Sequence, residues 1–136
     1  MGLFSGKRPE NLGAIRGRLA PCRSTPNCVS SQADLGDRTH YIEPLRFAGE
    51  PAHAWAALQV VVSGMERARI VGRESDYLYA EFTSRLMGYV DDVEFLLDAP
   101  ARVIHVRSAS RLGIRDFGVN RERVETIRER LAAAGV

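Results

Sequence analysis

A run of consecutive strand-like segments with short connections constrains this chain more than any other feature of its sequence. Each segment is rich in apolar, β-branched or aromatic residues, and turn signals separate them at Gly72 to Asp76, at Gly88 and at Ala99-Pro100. The segments are 68–71, 77–86, 90–98 and 102–111. Consecutive strands with short connections pair as an antiparallel meander, so the second half of the chain predicts an antiparallel sheet.

Helical patterns precede and follow these segments. Proline at position 51 is typical of a first helical turn, and a short strand at 41–47, pushed toward a sheet edge by Pro44, comes before it. Near the carboxyl end, Asp116 is expected to accept backbone N–H groups in a turn, and Asn120 to cap the last helix. The order β-α-β-β-β-β-α predicts an α+β fold: a twisted antiparallel sheet of four to six strands with two helices on one face.

Length and charge favour one domain with an extended leader. The 136 residues suit a single core, and glycines and prolines concentrate in 1–38, so we predict a leader with a cysteine-containing loop there and a single α+β domain over 39–136. The formal net charge is +2, and the basic excess lies in 1–23. Nucleic-acid binders concentrate positive charge on the folded domain. We therefore expect no nucleic-acid partner, and interpret the leader first as a solvated arm and second as a peripheral contact with an anionic membrane.

No segment approaches the roughly 20 consecutive apolar residues of a membrane-spanning helix, and the first residues lack the apolar core of a signal peptide. From the sequence as written we expect a cytoplasmic location, with an envelope-associated location as the alternative. We find no cofactor motif and expect no cofactor.

The two cysteines, Cys22 and Cys28, leave several alternatives open. Their spacing matches neither the C-x-x-C redox motif nor a zinc knuckle with a second pair. They would form a disulfide in an oxidising compartment and remain thiols in a reducing cytoplasm. Cys28 is a weak candidate nucleophile, because a thiolate needs a base nearby. A zinc site with His40 would lack ligands, so we predict no metal site.

Three carboxylates cluster on one predicted strand. Alternation places Asp92 and Glu94 on one face and Asp91 on the other. Paired carboxylates can act as acid and base or bind a hard cation, which makes Asp92 and Glu94 weak catalytic candidates. The favoured alternative is a structural network in which these carboxylates pair with arginines of neighbouring strands.

Arginines supply the best candidates for a ligand site. Arg107 and Arg111 lie on one face of the last predicted strand, where planar guanidinium groups could grip a phosphate or carboxylate. We also consider that Arg121 could reach back to Asp91 or Asp92. The candidate ligand-binding residues are Asn27, Ser30, Ser31, Arg85, Arg107, Arg111 and Arg121.

Four segments, in this order, resemble the family known as domain of unknown function 1499. They are Pro21-Cys22 with Pro26-Asn27-Cys28-Val29-Ser30-Ser31, Gly88-Tyr89-Val90-Asp91-Asp92-Val93-Glu94-Phe95, Arg107-Ser108-Ala109-Ser110-Arg111-Leu112-Gly113, and Asp116-Phe117-Gly118-Val119-Asn120-Arg121. The resemblance implies a small domain of bacteria and chloroplast-containing organisms, often exported or membrane-tethered, with no assigned reaction. This chain departs from it by lacking an apolar leader and by carrying Arg23-Ser24-Thr25 where relatives have a shorter proline-containing link.

The distinctive residues are polar and clustered, without a nucleophile and base at a known spacing. We therefore expect a binding or interaction module for a small apolar or anionic ligand, an apolar one being held in a cavity between sheet and helix. The alternative is a hydrolase or thiol-dependent enzyme using Cys28 or the cluster of Asp91, Asp92 and Glu94.

Overall fold

The computed structural model describes residues 4–136, which form two β-sheets and two α-helices. In chain order the elements are β1 (Ala14–Ile15), β2 (Arg18–Leu19), β3 (Cys28–Ser30), β4 (Leu45–Arg46), α1 (Pro51–Ser63), β5 (Ala68–Arg73), β6 (Tyr77–Thr83), β7 (Val90–Asp98), β8 (Val103–Ser110) and α2 (Val119–Ala133). Strands β1 and β2 make a small hairpin, and the other six strands form one sheet. The predicted α+β class is confirmed.

The named strands of the main sheet pair antiparallel, in the order β3-β8-β7-β6-β5. Strand β4 pairs with the first residues of β8, and β3 pairs with its last residues, so these two short strands share one edge of β8. Strands β5 to β8 follow one another as a meander, as their short connections predict. Strand β7 pairs along its length with β6 on one side and β8 on the other.

The strand predicted over 41–47 is much shorter in the structure. Only Leu45–Arg46 pairs with β8, and Tyr41 makes one isolated parallel bridge to Ser30. Pro44 explains the interruption, because proline has no N–H group to donate to a ladder.

Strand β6 also ends earlier than predicted, at Thr83 instead of Leu86. The chain turns immediately afterwards: the Ser84 N–H group donates to the Tyr89 carbonyl at 2.7 Å, and the Tyr89 N–H group donates to Ser84 Oγ at 2.9 Å. This turn satisfies backbone groups that would otherwise continue the ladder, so the apolar residues inside it do not reach the core.

One face of the sheet forms the main core against both helices. Val93 and Phe95 of β7 are fully buried there, in one cluster with Leu58 of α1 and Ile127 of α2. Both helices lie on this face, as predicted. Apolar side chains of the sheet and of both helices pack together in this cluster.

Helix α2 begins before the residue that the sequence predicts as its cap. Its N-cap is Gly118, with φ of 80°, and Asn120 lies inside the helix with no exposed surface. The prediction of Asn120 as the cap is wrong, because the Asp116 carboxylate accepts the N–H groups of Gly118 and Asn120. Asp116 thus bonds backbone amides, as expected.

The amino-terminal leader covers the second face of the sheet. Leu12 and Leu19 pack there against Tyr77, Tyr79 and Leu96. The interpretation of the leader as a solvated arm is therefore corrected. Its glycines and prolines show no helical or strand period, so the sequence does not reveal that it crosses a sheet face.

Strand β3 lies inside the segment predicted as an extended leader. Val29 belongs to the main core, and the strand pairs with β8 over Cys28 to Ser30. Three residues are too few to show alternation, which is why the pattern predicts a loop. Within residues 4–136, neither helix is long and apolar enough to cross a membrane.

Candidate functional site

The second face of the sheet carries a ladder of polar side chains beneath the leader. Tyr79, Glu94 and Arg107 are opposite one another on β6, β7 and β8, and Asp92 lies two residues from Glu94 on the same face. Asp91 points to the helix side. The division of the three carboxylates between two faces is the one that alternation predicts.

Glu94 is fully buried and partly satisfied. One carboxylate oxygen accepts the Gly13 N–H group at 2.7 Å and the Tyr77 hydroxyl. The other, Oε1, has no hydrogen-bond partner in the described chain, and Arg107 Nη1 lies 3.7 Å from it. Burial, followed by the bond to Glu94, raises the pKa of Tyr77, so its hydroxyl remains a neutral donor.

Asp92, in contrast, is fully paired. Arg111 donates to both of its oxygens, Nε at 3.1 Å and Nη2 at 2.6 Å, and the Tyr79 hydroxyl donates to it as well. Arg111 also pairs with Glu81 at 2.9 Å, and Arg8 of the leader pairs with Glu81 at 2.7 Å. These charge-assisted bonds, with the Asp92 bond the largest cause, raise the pKa of Arg111. This half of the ladder is the structural network that the sequence favoured.

Arg107 is the least satisfied charged group on this face. Its side chain is 7% exposed, Nη2 donates weakly to the Pro21 carbonyl at 3.4 Å, and Nε has no hydrogen-bond partner among residues 4–136. Burial lowers the pKa of Arg107 although Glu94 opposes the shift. A buried donor without a partner costs about 1–3 kcal/mol, so this guanidinium has hydrogen-bonding capacity left for a further acceptor.

A polar cavity of about 180 Å³ lies between the leader and β8, and Arg107 lines it. Its charged lining consists of four basic side chains and one carboxylate: Lys7, Arg23, Arg107, Arg111 and Asp92. Asn27 and Cys28 complete the wall on the β3 side. Because Asp92 is already held by Arg111 and Tyr79, the cavity has a net positive lining.

The two cysteines form a disulfide, with Cα atoms 5.7 Å apart. The bond ties the leader to β3 next to the cavity, since Cys28 lines it. Cys28 therefore carries no thiolate in this state, and neither the nucleophile nor the zinc site of the sequence analysis is present. No cluster of three His, Cys, Asp or Glu side chains in the described part of the chain is arranged to hold a metal ion.

Comparison with known families gives one result that bears on the whole domain. A model described as "Protein of unknown function (DUF1499)" matches residues 18–131 of the 136. The chain belongs to this family. A comparison with curated proteins finds no match. The DUF1499 match includes both cysteines and every strand of the main sheet, whereas Lys7 and Arg8 precede it.

The structure brings together three of the predicted ligand-binding residues of this DUF1499 domain: Asn27, Arg107 and Arg111, which all line the cavity. The Asn27 amide donates to the Gly113 carbonyl at 2.7 Å, and its oxygen accepts the Thr25 hydroxyl at 2.9 Å. Asn27 is thus positioned by the loops that flank the cavity.

Four other predicted residues lie elsewhere. Ser30 Oγ accepts the Gln32 N–H group, and Ser31 Oγ accepts the Val106 N–H group, so both hydroxyls serve the backbone. Arg85 is exposed in the turn after β6. Arg121 donates to the carbonyls of residues 38 and 39 instead of reaching a carboxylate.

Asp91 on the helix side is paired with Arg123, at 2.7 Å, and not with Arg121. Burial raises the pKa of Asp91, and Arg123 opposes that shift. Arg123 Nη1 also donates to the Asn120 side chain, which accepts the Ser108 hydroxyl at 2.6 Å. This cluster joins α2 to β7 and β8, and it is separate from the cavity under the leader.

Sequence reasoning missed four residues of the site: Lys7, Arg23, Tyr77 and Tyr79. The tyrosines alternate along β6 and lie on the same face of the sheet as Asp92 and Glu94 of β7. This alternation in the sequence could have predicted that the four side chains lie together. The two basic residues belong to the leader, where the excess of positive charge is the only sequence feature that singles them out.

Proposed function

We propose that this domain binds a small anion, such as the carboxylate or phosphate group of a small molecule, in the cavity between the leader and β8. The observation that carries the proposal is the buried guanidinium of Arg107, whose Nε has no hydrogen-bond partner in residues 4–136. An oxyanion accepts hydrogen bonds from a guanidinium in the plane of its donors. An anion in the cavity that Arg107 lines would compensate a buried positive charge that Glu94 approaches only to 3.7 Å.

The surrounding charges support an anion more than a neutral ligand. Lys7 and Arg23 are exposed residues that line the same cavity, and neither forms an ion pair within the described chain. Arg23 lies close enough that its charge adds to the lowering of the Arg107 pKa, which burial dominates. Like charges held together favour the binding of an opposite charge between them.

The size of the cavity indicates the class of ligand. Sites for drug-sized molecules usually enclose about 300–1,000 Å³. The volume here, about 180 Å³, suits the charged group of a ligand and not the whole of a large one. A ligand with one phosphate or one or two carboxylates would place that group beside Arg107 and leave its remainder toward Lys7 and Arg23.

The chemistry of the lining favours binding over the enzymatic alternative. The sulfur of Cys28 is in a disulfide, and Asp92 is occupied by Arg111 and Tyr79. Burial, followed by the bond to Asp92, raises the pKa of Tyr79, which keeps its hydroxyl protonated. The residues that line the cavity therefore supply fixed donors for an anion.

Titration calorimetry at low ionic strength would test the proposal, with inorganic phosphate and succinate as probes. We expect binding of at least one probe, and a rise in melting temperature of roughly 5–10 °C at about a hundred times the Kd. Arg23→Gln removes an exposed charge at the cavity without disturbing the core, and should weaken binding. Arg16→Gln, an exposed leader arginine outside the cavity, is its matched control.

Arg107→Lys tests the central residue, because lysine keeps the positive charge and removes the guanidinium fork. We expect a loss of affinity larger than that of Arg23→Gln. Equal affinity in wild type, Arg23→Gln and Arg107→Lys would place the anion elsewhere. A protein that none of phosphate, sulfate, acetate or succinate stabilises would remove the proposal.

A further inference from the structure

Two loops at one end of the sheet each expose large apolar side chains. One loop follows β6 and the other joins β8 to α2, and they are held together where the Arg111 N–H group donates to the Val90 carbonyl at 3.1 Å. Both loops line one cleft of about 320 Å³, with Tyr89 on one wall and Leu112 on the other. We call the outermost apolar residues of these loops, Leu86, Met87, Ile114 and Phe117, the loop tip.

The exposure of the loop tip is unusually high for side chains of this size. Leu86 is 90% exposed, Phe117 93%, Ile114 64% and Met87 53%. Large apolar side chains concentrated at one end of a domain mark surfaces that contact a partner or a membrane. Elsewhere in residues 4–136, exposed apolar residues such as Leu35 and Val60 are not grouped on two neighbouring loops.

The backbone holds Phe117 in this position at a cost. Its φ of 53° lies in the left-handed region, which a bulky residue rarely adopts. Gly118 follows with φ of 80°, and the Asp116 carboxylate accepts the Gly118 N–H group, so the turn is fixed from both sides. Strained residues that persist are concentrated at sites of binding.

The charge beside the loop tip is positive. Arg85 and Arg115 are exposed neighbours of Leu86 and Ile114, and neither forms an ion pair in the described residues. The leader adds Lys7 to this end of the molecule, because Gly6 lies against Leu112. The carboxylates that line the cleft, those of Asp91 and Asp116, are engaged with Arg123 and with backbone N–H groups.

From this combination we infer that the loop tip docks on an anionic lipid bilayer. Apolar side chains on adjoining loops can enter the boundary between headgroups and acyl chains, while basic side chains beside them contact lipid phosphates. The charge complementarity favours a lipid surface over an apolar groove of another protein. The two loops and not the leader provide the apolar part of this surface, and Arg8 of the leader is paired with Glu81 on the sheet face.

Vesicle sedimentation would test this inference on the full chain. We expect binding to mixed phosphatidylcholine and phosphatidylglycerol vesicles, weaker binding to phosphatidylcholine alone, and a decline as salt is raised. The double variant Leu86→Ser/Phe117→Ser should weaken binding by about tenfold or more, the factor expected when large apolar side chains leave a lipid contact. The matched control is Leu35→Ser/Val60→Ser, two exposed apolar residues outside the loops.

A second variant, Arg85→Glu/Arg115→Glu, should abolish the preference for anionic vesicles. Unchanged melting temperatures would show that each variant is folded, as expected for exposed positions. Equal vesicle binding by the loop-tip variant and its control would overturn the inference. Concentration-dependent self-association that the loop-tip variant abolishes, without vesicle binding by the wild type, would instead make this surface an interface between copies of the chain.

Discussion

Arg107 and Glu94 lie opposite each other on the paired strands β8 and β7, with Arg107 Nη1 3.7 Å from Glu94 Oε1. Each residue keeps one buried polar atom without a hydrogen-bond partner in the described chain. The two residues are opposite in register, so their backbones fix the separation. A buried ion pair repays its desolvation only when the remaining hydrogen-bonding atoms are also satisfied. The ion pair therefore stabilises the fold less than a fully hydrogen-bonded pair would, and Arg107 can still bind a ligand.

Glu94→Gln should separate the two roles of this pair. Removal of a buried partner typically costs about 3–5 kcal/mol of unfolding free energy, because the opposite charge is left uncompensated. The same change should strengthen binding of phosphate, since Arg107 would then lack a competing anion. Urea unfolding with and without phosphate measures both effects. The double variant Glu94→Gln/Arg107→Gln is the control: it should regain part of the lost stability and no longer respond to phosphate.

The Cys22–Cys28 disulfide should increase both the stability of the fold and the affinity of the cavity for an anion. Reduction, or Cys22→Ser/Cys28→Ser, should lower the unfolding free energy by about 2 kcal/mol, the loop-entropy value for so short a loop. Because Cys28 lines the cavity, the affinity for phosphate should fall as well. Denaturation with and without dithiothreitol measures the first effect and calorimetry the second. Equal stability of the oxidised and reduced protein would show that β3 is held by its pairing with β8 alone.

The central strands of this fold could be predicted from the sequence because their signals are local. Alternation on β7 separates Asp91 from Asp92 and Glu94, and alternation on β8 puts Arg107 on the face of Glu94. Both of these inferences need only the period of a strand. The resemblance to the family rests on motifs, two of which lie outside the central strands, at 21–31 and 116–121.

The contacts that complete the site could not be predicted, because they join distant parts of the chain through groups without a pattern. The Gly13 backbone N–H group donates to Glu94. Every residue except proline has such a group, so the sequence does not single it out. The sequence predicts Arg121 as a partner of Asp91, whereas Arg123 forms that ion pair, and this difference has another cause. The sequence predicts Asn120 as a cap, but Asn120 is buried inside the helix, and Arg123 lies three residues later on the same side of the helix.

His40 should make stability depend on pH near neutrality. Its Nδ1 lies 2.8 Å from Asp37 Oδ2 and its Nε2 lies 2.9 Å from the Thr25 carbonyl, so both nitrogens face acceptors. Burial alone would lower the pKa of His40, but these two acceptors outweigh it and the pKa is raised. A raised folded-state pKa means that the stabilisation is fully present below the unfolded value of about 6.5 and is lost as pH rises through the folded value.

The difference in unfolding free energy between wild type and His40→Gln isolates this contribution. It should be largest between the titration of Asp37 and that of His40, and shrink as pH rises from about 6.5 upward. His53→Gln, at an exposed helical position, is the matched control for the loss of a histidine. At the acid end, the bond to His40 lowers the pKa of Asp37, so its share of the stability is lost only as pH falls through that lowered pKa. A difference that grows with pH would contradict the assignment of His40 as a cation.

Gly118 and Gly49 form a pair that tests the backbone argument for the loop before α2. A Cβ atom added at either position would meet nothing within 4 Å, and only Gly118 has a left-handed φ, of 80°. Gly118→Ala should therefore cost about 1–2 kcal/mol of unfolding free energy, the usual penalty for an L-residue in that conformation. Gly49→Ala should be neutral or stabilise by about 0.4–1 kcal/mol, because alanine restricts the unfolded chain. Urea unfolding compares the two directly. Equal effects would mean that the turn relaxes when glycine is replaced, and the fixed position of Phe117 beside it would then lose its support.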